Sequence, residues 1–169
     1  CVFSGIKGNY VETDTPDPVD TYGRSKLLGE LNDSTNLTIR TSHIGPELSV
    51  KRSLVEWLLS QRNGRIRGFS GAIYSGLTSK ELAKVIENLI PTETSLSGMF
   101  HVSSEAISKL EIINQLNELL DLKIEVVEDK TIQINRSLNS LRFQSATNTS
   151  APKWAPMLKD LCADQATYV

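Results

Sequence analysis

Short β-branched stretches alternate with amphipathic helical ones along most of this chain, and that alternation limits it to a layered α/β architecture with parallel strand pairing. Residues 37–41 carry β-branched side chains and no breaker, so they read as a strand. Gly45-Pro46 interrupts the chain, and Ser53 then caps a helix holding Leu54, Trp57, Leu58 and Leu59, with Trp57 read as core. Asn63-Gly64 ends that helix, and residues 65–69 and 72–74 follow as short strands. Thr78 or Ser79 opens a second helix with Leu82, Ala83, Val85, Ile86, Leu89 and Ile90 as its buried stripe and Pro91 as its stop. Residues 98–102 form a strand. Ser108 opens a third helix with Ile112, Ile113, Leu116, Leu119 and Leu120 inside, and residues 124–127 form the last clear strand. The polar run 144–152 reads as a loop, and 154–161 as a short closing helix in which Trp154 covers the core.

The front of the chain is less regular. Val2 and Phe3 read as the end of a buried strand, followed by glycine turns and a rigid acidic loop around Pro16 and Pro18. A helix begins near Thr21 and runs to about Asn32-Asp33. Because a domain rarely opens in mid-strand, a preceding piece of sequence is expected, which makes this chain a fragment. Its 169 residues suffice for a substantial core. A net charge of −2 argues against general affinity for nucleic acid or anionic membrane. No apolar run approaches the roughly 20 residues that span a bilayer. The two cysteines, Cys1 and Cys162, show no pairing pattern and read as free thiols, which makes the cytoplasm the expected location.

Chemistry concentrates in Tyr22-Gly23-Arg24-Ser25-Lys26. On a helix, positions four apart share a face, so a phenol and an ammonium can address one site. A tyrosine hydroxyl, ordinarily titrating near 10, exchanges protons poorly at neutral pH unless a nearby cation favours its phenolate. A tyrosine so tuned can protonate a carbonyl oxygen while hydride reaches the carbon. The spacing alone is also met on ordinary surface helices, so context has to carry the reading.

That context is Cys1-Val2-Phe3-Ser4-Gly5, then Tyr10, Pro16 and Pro18, then Tyr22-Gly-x-Ser-Lys26-Leu-x-Gly29-Glu30. It continues in Arg40-Thr41-Ser42, in Gly76-Leu77-Thr78 through Leu82-Ala83, and in residues 135–143, Asn-Arg-Ser-Leu-Asn-Ser-x-Arg-Phe. In this order the segments resemble the extended short-chain dehydrogenase/reductase family, near its branch acting on dTDP-4-dehydrorhamnose-like nucleotide sugars. The resemblance implies the C-terminal part of a Rossmann-like parallel sheet plus a small α/β substrate-binding region. Residues 1–64 then complete the dinucleotide-binding domain, and 65–169 are mainly the substrate-binding region with elements returning to the core. Tyr22 is implied as the catalytic acid/base. Lys26 is implied to assist its phenolate and bond the nicotinamide ribose, with Ser42, His43 and Ile44 beside the nicotinamide. The family's catalytic Ser/Thr should lie just upstream of Cys1, and its Gly-x-x-Gly-x-x-Gly turn, which receives the pyrophosphate of NADP or NAD, is not in this sequence.

The implied activity is reduction of a keto group on a nucleotide-linked deoxysugar in surface polysaccharide biosynthesis, and the family allows a homodimer of the full-length protein. Epimerases and dehydratases keep the same Tyr-Lys pair, and some relatives bind nucleotide and a protein partner without turnover. Lys51 and Arg52, before a predicted helix N-terminus, and Arg136 and Arg142, able to clamp a diphosphate bidentately, are the substrate candidates; the plainer reading of all four is solvated surface charge. His101, on a predicted core strand, reads as structural. Neither histidine has a cysteine or carboxylate at metal-ligand spacing, so no metal site is expected. Arg62, Arg65 and Arg67 form a basic patch without interleaved aromatics, a poor nucleic-acid signal.

Overall fold

The computed structural model describes residues 1–47, 52–90 and 96–165. Asp20 starts α1 (Thr21–Leu28) by accepting the Gly23 N–H at 2.6 Å. The helix stops at Gly29, before the expected 32–33, because Asp33 offers the backbone another use. Its carboxylate accepts the N–H groups of Thr35 and Asn36 at 2.8 and 2.9 Å, a turn that competes with helix continuation. β1 (Leu37–Arg40) and β2 (His43–Ile44) follow. Ser53 caps α2 (Leu54–Ser60), and Asn63 turns the chain with φ of 59° into β3 (Arg65–Phe69).

After β4 (Ala72–Tyr74) and β5 (Leu77–Thr78), the Thr78 hydroxyl caps α3 (Ser79–Leu89). β6 (Gly98–His101) and β7 (Ile107–Ser108) lead into α4 (Lys109–Leu119). Here Ser108 Oγ accepts the Glu111 N–H while the Glu111 carboxylate accepts the Ser108 N–H, a reciprocal capping box. β8 (Glu125–Asp129), β9 (Ile134–Asn135), α5 (Leu141–Thr147) and α6 (Trp154–Gln165) complete the order.

Parallel pairing dominates, as alternation requires. β1 pairs with β6, β2 with β5, and β3 with β8, all parallel; β4 lies between antiparallel β7 and parallel β9. Among the described residues the strands pair in two- and three-stranded sheets. The core fills the space between α4, α6 and the strands β3 and β5, around Leu58, Leu77, Leu116, Leu122 and Leu158. Trp154 is buried among them, and its indole N–H donates to the Glu105 carbonyl at 2.8 Å, which satisfies its polar end.

Several expected placements differ. Val2 and Phe3 form no strand; Phe3 is buried, but the chain turns at once through Gly5 and Gly8, both with positive φ. α3 lies on the surface, so Leu82, Val85 and Leu89 pack on the core while Ile86 and Ile90, at the stripe's edge, and Ala83 face outward. Trp57 and Leu119 are likewise exposed, since each helix meets the core on one side only. The first part of the 144–152 run is helical, because Phe143 is buried and holds α5 against β6. Pro91 lies outside the described residues.

Candidate active site

A cleft of about 530 Å³ opens between α1 and the C-terminal ends of β1 and the start of β2. Tyr22, Lys26, Gly29 and Glu30 form one wall, the residues from Thr38 to His43 the floor, and Arg136 and Leu138 the far side. Tyr22 is 63% exposed, and the Lys26 ammonium stands 5.5 Å from its ring centroid. Gly23 sets how near this helix comes to the preceding chain. A Cβ there would lie 2.3 Å from the Cys1 carbonyl oxygen, so only glycine lets α1 lie this close.

From the wall and floor a largely buried polar group extends inward, and the sequence alone did not mark it. Arg40, at the end of β1, donates from Nε and Nη2 to the two oxygens of Glu30 at 2.8 and 2.7 Å, a bidentate pair. The β1–β6 register sets Arg40 opposite His101, and Arg40 Nη1 lies 3.3 Å from His101 Nε2. His101 Nδ1 lies 2.9 Å from the Tyr10 carbonyl, and the His101 backbone N–H donates to Glu12. A guanidinium nitrogen only donates and a carbonyl only accepts, so these contacts require a neutral imidazole with its proton on Nδ1. Burial pushes the His101 pKa down, in the same direction. Phe3 stacks on Tyr10 with centroids 4.1 Å apart and lies under the Arg40 guanidinium at 5.2 Å. Glu30 and Arg40 both stand in the segments that carry the family resemblance, and their opposite charges were visible there; their contact depends on β1 folding back beside α1.

The late segment 135–140 works as a clasp. Asn135 and Tyr10 N–H groups bond to Gly5 and Ser137 carbonyls, Asn139 N–H donates to the Tyr10 carbonyl, and Asn9 N–H donates to Ser137 Oγ. These bonds fasten the chain's early turn to β9 and bring Arg136 to the cleft, where its Nε donates to the Ser4 carbonyl at 3.2 Å.

The cleft therefore joins Tyr22, Lys26, Ser42, His43 and Arg136. Ile44 is half-buried and packs on the core behind it. Arg52 is exposed, with its backbone N–H donating to Glu47, and Lys51 lies outside the described residues. Arg142 does not line the cleft; it sits on α5 with its guanidinium 4.6 Å from the Phe100 ring, so it is not paired with Arg136 in this site. In the basic patch, Arg62 donates to the Asp121 carbonyl, Arg65 pairs with Glu125 and Arg67 with Asp129. Among the described residues no group of three His, Cys, Asp or Glu side chains could hold a metal, and no helix is long and apolar enough to cross a membrane.

A family model described as the RmlD substrate binding domain matches residues 1–166. A curated dTDP-4-dehydrorhamnose reductase from Aggregatibacter actinomycetemcomitans is 33% identical over 115 residues, covering 62% of this chain and 38% of that protein. A solved structure of a hypothetical dTDP-4-dehydrorhamnose reductase from Sulfolobus tokodaii is 30% identical with a TM-score of 0.71, over 85% of this chain and 54% of that one. The Bacillus anthracis dTDP-4-dehydrorhamnose reductase, solved in complex with NADP, shares the fold at a TM-score of 0.79 and 24% identity, over 96% of this chain and 62% of that one. The chain thus spans less than two thirds of the length of each. Matched by that family model over nearly its whole length, the chain belongs to the RmlD substrate binding domain family, within the extended short-chain dehydrogenases/reductases.

Proposed function

We propose that this chain supplies the proton-transfer and substrate-facing side of an enzyme that reduces a keto group on a nucleotide-linked deoxysugar, with dTDP-4-dehydrorhamnose as the first substrate to test. The observation that supports it is the cleft itself, which gathers Tyr22 and Lys26 from α1, Ser42 from the β1–β2 connection, His43 from the start of β2, and Arg136 from the late clasp. In this reading residues 1–64 complete a dinucleotide-binding domain and 65–169 are mainly the substrate region. The setting is cytoplasmic synthesis of a surface polysaccharide sugar, by a homodimer of the full-length protein.

The residues suit a nicotinamide riboside half: a phenol and an ammonium on one wall, and polar Ser42 and His43 at the floor. NADPH or NADH, when bound, supplies hydride to the carbonyl carbon. Tyr22 gives its hydroxyl proton to the carbonyl oxygen as negative charge develops there. Lys26 offsets the charge left on the phenolate and presents N–H donors to the ribose hydroxyls. Because Tyr22 is open to solvent, water can return its proton. Arg136 presents a guanidinium to the diphosphate from the opposite wall.

The test is loss of reduced-nicotinamide absorbance when the full-length protein meets dTDP-4-dehydrorhamnose. Tyr22→Phe is expected to lower kcat by about 10²–10⁴-fold with little change in KM. An unchanged kcat would remove Tyr22 from the chemistry. Product without net cofactor oxidation would replace reduction with epimerisation or dehydration, and cofactor binding without turnover would make the chain part of a regulatory module.

A further inference from the structure

The largely buried group that runs from the cleft lining to His101 has a use beyond filling space. Glu30 directly follows the Gly29 cap of α1, so whatever holds Glu30 holds the C-terminal end of the helix that carries Tyr22 and Lys26. Arg40 holds it by two parallel bonds, and both side chains are about nine-tenths buried. Beside the helix's own terminal backbone bonds, Thr38 Oγ1 adds a smaller tie from β1, donating to the Leu31 carbonyl at 2.6 Å and accepting the Leu31 N–H at 3.3 Å. Arg40 is itself kept in place from the other side by His101 Nε2 and by the Phe3 ring.

We propose that Arg40 is a positioning residue for the Tyr22–Lys26 helix, and that it keeps this place only while the imidazole of His101 is neutral. Nε2 can accept from Arg40 only when it carries no proton. Protonation replaces that acceptor with an N–H and sets a second cation 3.3 Å from the guanidinium. The guanidinium then has to leave Nε2, and the Glu30 carboxylate that it grips moves with it. The groups around His101 pull in both directions. Burial and Arg40 disfavour its cation, whereas the Tyr10 carbonyl, Glu12 and Glu30 favour it; Asp14 is a further carboxylate within its field. Burial is the largest of these influences, which is why the neutral form persists below the ordinary histidine range. Acidification below that range therefore loosens the helix end, and a proton taken up beneath the floor is felt at Tyr22.

Heteronuclear NMR of the full-length protein tests this directly. The His101 ring is expected to be the neutral Nδ1–H tautomer at neutral pH, and the Tyr22 ring resonances, assigned by comparison with Tyr22→Phe, are expected to shift with the His101 midpoint. In His101→Gln, whose side-chain oxygen can still accept from Arg40 but cannot titrate, that shift should vanish. In Arg40→Lys, which keeps the charge but loses the fork, the Tyr22 resonances should be displaced at every pH. An Nε2–H tautomer, or Tyr22 resonances indifferent to a titrating His101, would overturn the proposal from wild-type protein alone, whether or not the variants fold.

The consequence for ligands rests on the cofactor reading above. Nicotinamide-dinucleotide affinity should weaken about tenfold per pH unit below the His101 midpoint, in proportion to the competent fraction, and this acid limb should be absent in His101→Gln. The same acid limb in both proteins would also overturn the proposal. If wild-type protein binds no cofactor at any pH, the cofactor reading fails, and the Tyr22 resonances still decide the role of Arg40.

Discussion

Gly23 shows how one missing side chain shapes this site. Glycine inside a helix is about 1 kcal/mol worse than alanine, so Gly23→Ala would stabilise α1 if the helix stood free. Here the added Cβ would lie 2.3 Å from the Cys1 carbonyl oxygen and 2.9 Å from Pro18 Cβ. Backbone cannot rotate away as a side chain can, and overpacking of this kind costs about 1–3 kcal/mol. The clash outweighs the propensity gain, so Gly23→Ala is expected to lower the thermal midpoint and to shift the amide resonances of α1. A stabilised Gly23→Ala protein would mean that the helix has slack towards the early chain. The Tyr-Gly-x-Ser-Lys spacing was legible in the sequence because it is local. The reason for its glycine was not, because the atoms that forbid a Cβ belong to Cys1 and Pro18, beyond the helix.

At the scale of elements, helix starts were the most readable feature. Ser53, Thr78 and Ser108 each accept the N–H three residues on, as a hydroxyl before an apolar period predicts. Only Ser108, of these three, has the reciprocal Glu111 bond, with distances of 3.1 and 2.9 Å. Ser108→Ala should therefore cost about 1–2 kcal/mol in urea unfolding and Ser53→Ala, whose bond is 3.5 Å, about half as much. Equal losses would show that the box adds nothing to the simple cap. Helix ends and outward faces were harder to read. α1 stops early because of the turn at Asp33, and α5 extends into a polar run because Phe143 is buried against its surroundings. Periodicity marks which residues could be inside; it does not tell how much of a stripe another element covers, as Trp57 and Ile90 show.

Across the whole molecule, acid should act in two stages. His101 has its native pKa lowered, so the unfolded chain takes up the proton first, and stability falls as pH drops from about 6.5 through the native value. Asp14, Asp17, Asp129, Asp160 and Glu111 have theirs lowered by hydrogen bonds first of all, and hydrogen bonds from Thr35 and Asn36 bring Asp33 to about 2. Their contribution is complete above about pH 5 and is lost as pH falls towards those native values. Asp17, Asp33 and Glu111 are exposed and screened, so their part of this second loss should shrink in added salt. Thermal midpoints taken between about pH 8 and about pH 3 should show both steps, with His101→Gln removing the upper one alone. A single step near the carboxylate range in the wild-type protein would contradict the buried neutral imidazole.

The sequence by itself determined what depends on neighbours along the chain: the α/β alternation, the caps, the parallel class of pairing and the Tyr22–Lys26 face. It also placed Arg136 among the site candidates by its motif, though with Arg142 beside it. Tertiary structure decided everything that depends on register and docking. The β1–β6 alignment set Arg40 against His101, the 135–139 clasp brought Arg136 to the cleft, and α5 carried Arg142 to Phe100 instead. The physical reason is range. A cap or a period is settled by bonds within one or two turns, whereas a buried ion pair exists only once separate elements have met and excluded water between them.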